Sequence, residues 1–136
     1  MKPSGTLTIF LILAFSFILI AAGHGAGPFV LFQIGLIGSL LERSLFSFTS
    51  DWAVSMWLFV LLSLTGELLL LLVLFKKALR SKMSFAGICL LLLSWAIVLY
   101  ALPEYKEVTF YTGIPFATLV AVWLWQYFKP IQEDEA

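Results

Sequence analysis

Residues 52–75 form one apolar run interrupted by a single ionisable side chain, Glu67. No other feature constrains the chain as much. A run of this length exceeds the roughly 20 residues an α-helix needs to cross a hydrocarbon layer about 30 Å thick. A helix that is apolar on every side must be buried in a large core or surrounded by lipid. Residues 84–102 and 113–128 repeat the pattern, the first ending at Tyr100 and Pro103, the second at Trp123, Trp125, Tyr127 and Lys129. Amphipathic rings at the ends of apolar runs fit the headgroup level of a bilayer.

Composition separates the two possibilities. Hydrophobic residues make up 62% of the 136 residues and charged residues 12%, against about 45–50% and about 25% in an ordinary soluble domain. A domain this small has too large a surface-to-volume ratio to hide so much apolar surface from water. The expected fold is therefore all-α: a polytopic transmembrane helical bundle forming a single integral membrane domain over residues 1–136, with spans at about 6–22, 52–75, 84–102 and 113–128.

The N-terminal third is less regular. Residues 7–22 carry no charge and follow Lys2, which suits a first span; the same layout also fits a secretory signal peptide. Gly23, Gly25 and Gly27 alternate with His24 and Ala26 and lead to Pro28, a Gly-rich break after which a new helix can start. Residues 28–48 are apolar but contain Gln33, Gly35 and Gly38, which weaken membrane insertion. They are read as a re-entrant or interfacial helix, or alternatively as a fifth span.

Lys76, Lys77, Arg80 and Lys82 form the densest basic cluster. The positive-inside rule puts loop 76–83 in the cytoplasm, and the C-terminus with it. With four spans the N-terminus is also cytoplasmic and residues 23–51 stay outside. With five, residues 7–22 and 28–46 make a hairpin and the N-terminus lies outside. The four-span form keeps one more basic residue, Lys2, on the inner side.

The candidate functional residues are the polar groups that lipid makes expensive. Glu67 lies eight residues before Phe75, about 12 Å along a helix from its end. An ionised side chain near the bilayer centre costs about 2.5–3.5 kcal/mol on insertion scales, so Glu67 is expected to face the bundle interior. Ser16, Ser94 and Thr118 fall at comparable depths, and the four residues form a candidate intramembrane polar site. Such a site relays a proton or binds a cation, or it is a hydrogen-bonded tie between helices. A second candidate site, at the outer face, comprises His24, Gln33, Glu42 and Arg43. It suits a lipid headgroup; the bland alternatives are a loop histidine and a solvated ion pair.

Other function classes lack support. The net charge is zero, so nothing recommends nucleic acid as a partner. The one cysteine, Cys89, cannot form a disulfide within the chain, and no metal or cofactor site is expected. There is no Walker loop, Rossmann glycine pattern, HExxH or nucleophile elbow. The expected function is that of an accessory, structural or partner-binding membrane subunit without its own catalytic site. Its partners are the lipid bilayer and either other membrane subunits or a second copy of itself. The alternatives are a small proton- or ion-coupled transporter centred on Glu67, and an interfacial lipid-binding or lipid-modifying protein.

Overall fold

The computed structural model describes residues 5–22, 25–41, 51–76, 80–101 and 106–129. Among these described residues are five helices: α1 (Gly5–Ser16), α2 (Phe29–Leu41), α3 (Asp51–Phe75), α4 (Arg80–Ala101) and α5 (Lys106–Phe128). Two short strands, β1 (Leu19–Ala22) and β2 (Gly25–Pro28), join α1 to α2. Three of the helices are long and apolar enough to cross a membrane, over Val54–Phe75, Lys82–Ala101 and Lys106–Phe128.

Helices α3 and α4 approach most closely, because a glycine on each faces the other. A Cβ on Gly66 would sit 2.9 Å from the carbonyl oxygen of Gly87, and one on Gly87 would sit 3.0 Å from that of Gly66. Only hydrogen fits at both positions, so the backbones meet directly. Close approach through small residues replaces the hydrophobic drive that lipid removes between membrane helices.

The interior is aromatic. Phe15 of α1 makes edge-to-face contacts with Phe29 of α2 (5.1 Å between centroids) and Phe116 of α5 (5.2 Å). Phe29 in turn meets Phe59 of α3 at 4.8 Å. All four rings are fully buried. The outward faces are also apolar: Leu61 and Leu68 on α3, Leu93 on α4 and Ile114 on α5 are exposed. A water-soluble monomer rarely leaves apolar surface open on so many elements.

The expected helical span over 6–22 needs correction. Helix α1 stops at Ser16, and from Leu19 the chain is extended, pairing antiparallel with β2 so that Leu19 opposes Pro28 and Ala22 opposes Gly25. Tertiary contacts support the change of conformation. Thr109 of α5 donates its hydroxyl to the Leu19 carbonyl (2.9 Å), and the Leu19 N–H donates to Thr112 Oγ1 (3.0 Å). The Phe29 N–H donates to the Ile18 carbonyl (2.8 Å). These bonds satisfy extended backbone that would otherwise be unpaired in an apolar interior.

The contacts also set directions. Phe15 lies against Phe116 and Leu19 against Thr112 and Thr109, so the first segment runs antiparallel to α5. Phe29 meets Phe59 and Gln33 meets Ser63, so α2 advances alongside α3 in the same sense. Of the 28–48 segment, residues 29–41 are helical; residues 42–48 lie outside the described residues.

Candidate functional site

Glu67 sits on α3 one turn after Ser63, so the two side chains share a face. Ser16, the last residue of α1, reaches that face. Its hydroxyl lies 2.9 Å from the Ile12 carbonyl of its own helix and 3.4 Å from Glu67 Oε1. A hydroxyl has one proton, so Ser16 shares it unequally, and the nearer carbonyl is the stronger acceptor. Gln33 of α2 supplies the other partner. Its Nε2 donates to Ser63 Oγ at 2.9 Å, and its side chain also hydrogen-bonds Glu67. Ser63 in turn donates its hydroxyl to the Val60 carbonyl, 3.1 Å away.

The result is a continuous polar contact, Ser16–Glu67–Gln33–Ser63, linking three helices. Gln33 and Ser63 are buried, whereas Glu67 is half-buried. All the bonding partners are neutral. Among the described residues, no group of three or more His, Cys, Asp or Glu could hold a metal ion.

Of the expected intramembrane set, Ser16 and Glu67 come together. Ser94 and Thr118 use their hydroxyls on their own helices, donating to the Leu91 carbonyl (2.8 Å) and the Ile114 carbonyl (2.9 Å). Ser94 is buried and Thr118 exposed. The outer-face set divides differently. Gln33 joins the Glu67 contact, while His24, Glu42 and Arg43 lie outside the described residues.

Two further contacts join residues of different helices through glycine. The Gly66–Gly87 pair does not follow a small-xxx-small spacing, since its members lie on different helices. Gly113 is the other: a Cβ there would overlap the ring of Trp95, whose indole N–H donates to the Thr109 carbonyl at 3.2 Å. Trp95 thus finds the partner a mid-span indole needs. Trp123 is fully buried and stacked on Tyr127 at 4.9 Å. Trp125 is exposed, with the Lys129 ammonium 5.0 Å from its ring centroid.

The chain matches no protein-family model, no curated protein and no solved structure.

Proposed function

We propose that the chain is a small multi-span integral membrane protein acting as an accessory or partner-binding subunit without a catalytic centre of its own. The observation that carries this reading is the pairing of Glu67. Its bonding partners, Ser16 and Gln33, are neutral side chains from two other helices of the same chain. A carboxyl held in this way serves as a tie between helices, and interhelical bonds of this kind contribute about 0.6 kcal/mol on average and up to about 1.7.

The proposed topology has four crossings. Helices α3, α4 and α5 make three. Helix α1 is about 18 Å long and β1 adds about 13 Å, together near the thickness of the hydrocarbon core. Helix α2, about 20 Å long, is too short to cross, and its parallel course beside α3 suits a re-entrant element rather than a fifth span. The basic residues Lys76 and Lys82 support a cytoplasmic position for that end of the bundle.

One observation favours a second reading, an ion- or proton-coupled carrier. Glu67 is only half-buried, and it lies beside two helices interrupted by extended backbone. Discontinuous helices commonly bracket transport sites. Purification of the full chain in mild detergent, with Glu67→Gln in parallel, separates the readings. A subunit brings down a stoichiometric membrane partner, and Glu67→Gln leaves that complex intact. A carrier purifies alone, moves protons or cations in proteoliposomes, and loses that flux in Glu67→Gln.

A further inference from the structure

The corner where α4 ends and α5 begins holds a pocket of about 260 Å³ lined by Leu99, Lys106, Glu107, Phe110 and Tyr111. Its aromatic wall is built from contacting rings. Phe110 stacks on Trp95 (6.2 Å, 15°) and meets Tyr111 edge-on at 5.8 Å. Trp95 is itself fixed by its bond to the Thr109 carbonyl and by the backbone of Gly113 packed against its ring. Leu99 adds an apolar surface. Lys106 and Glu107 contribute one positive and one negative charge side by side in the first turn of α5. The pocket lies at the common end of two helices long and apolar enough to cross a membrane, which is headgroup depth.

We propose that this pocket binds the zwitterionic headgroup of a membrane phospholipid. The phosphodiester meets the Lys106 ammonium, aided by the positive end of the α5 dipole. The ammonium end of the headgroup lies between the Glu107 carboxylate and the faces of Phe110 and Tyr111, which attract a cation through their ring quadrupoles. An anionic headgroup such as that of phosphatidylglycerol satisfies Lys106 through the same phosphodiester but offers Glu107 and the aromatic faces no cation. A wholly apolar ligand would leave both charges without partners. The inference rests on the membrane placement proposed above, and on neither reading of Glu67.

Native mass spectrometry of the full chain tests it, with phosphatidylcholine and phosphatidylglycerol of identical acyl chains as probes. The wild type is expected to retain phosphatidylcholine about fivefold or more over phosphatidylglycerol, the discrimination that one charge-assisted contact and one cation–π contact supply. Lys106→Ala lowers phosphatidylcholine retention by a similar factor, Glu107→Gln removes the preference, and Lys129→Ala, at the opposite end, changes neither. Lys106→Gln is read alongside, with helix content checked by circular dichroism, so that a folding defect is recognised. Equal retention of the two lipids by the wild type, or unchanged retention in both folded Lys106 variants, overturns the proposal. Displacement of the lipid by soluble glycerophosphocholine at equal concentration would overturn the lipid as the source. A chain that does not fractionate with membranes would instead overturn the placement on which the inference rests.

Discussion

Gln33 donates a 2.9 Å hydrogen bond to Ser63, fastening the short helix α2 to the long helix α3 at a buried position. The same side chain reaches Glu67 one turn further along. Gln33→Leu removes both bonds while keeping the volume similar. It is expected to destabilise the protein by about 1–2 kcal/mol, near the upper end for interhelical hydrogen bonds in membranes. Denaturant unfolding in mixed micelles measures the change, and a loss within error of zero would mean the bonds contribute nothing.

Glycine substitutions should divide by location. Gly87→Ala introduces a Cβ 3.0 Å from the Gly66 carbonyl and from Leu70 Cγ, and so forces α3 and α4 apart. A loss of about 1–3 kcal/mol is expected from such overpacking. A Cβ on Gly35 meets open space, and Gly35→Ala should be neutral or stabilising by up to about 1 kcal/mol through helix propensity. Thermal unfolding of the two variants in the same detergent gives the comparison; equal effects would contradict the close approach of α3 and α4.

The extended segment after α1 depends on α5. Thr109→Val removes the donor to the Leu19 carbonyl while preserving the side-chain shape. Hydrogen exchange over Leu19–Ala22 is expected to rise severalfold, since one net hydrogen bond contributes about 0.5–1.5 kcal/mol. Exchange in α4 should not change. Unaltered protection at Leu19–Ala22 would show that the β1–β2 pairing stands without α5.

These contacts also explain which parts of the fold were legible in the sequence. The three long helices announce themselves because lipid-facing surfaces require unbroken apolar runs. The end of α1 at Ser16 does not, because Phe17, Ile18, Leu19 and Ile20 suit a helix as well as a strand. That choice is made by Thr109 and Thr112, some ninety residues away. Counting helical rise along two apolar runs puts Ser16 and Glu67 at comparable depth; the structure places their side-chain oxygens 3.4 Å apart. With residues 28–48 at the surface, Gln33 falls with the outer face. Helix α2 packs beside α3 in the same sense, which brings Gln33 against Ser63 instead. The Gly66–Gly87 contact is a relation between two helices, and no spacing within either run encodes it.

Topology is tested by single cysteines in a Cys89→Ser background. With four crossings, Ser4→Cys is shielded from a membrane-impermeant thiol reagent applied outside, and Ser47→Cys is labelled. Labelling at Ser4→Cys would establish the external N-terminus of the five-span arrangement.

The tie between α1, α2 and α3 through Glu67 is tested most directly by a double-mutant cycle. Wild type, Gln33→Leu, Glu67→Leu and the double variant are unfolded under identical micellar conditions. If Glu67 and Gln33 are bonded partners in one structural contact, the two losses are non-additive by at least about 0.5 kcal/mol. Additivity within about 0.3 kcal/mol would contradict the tie and leave Glu67 to be explained by transport chemistry.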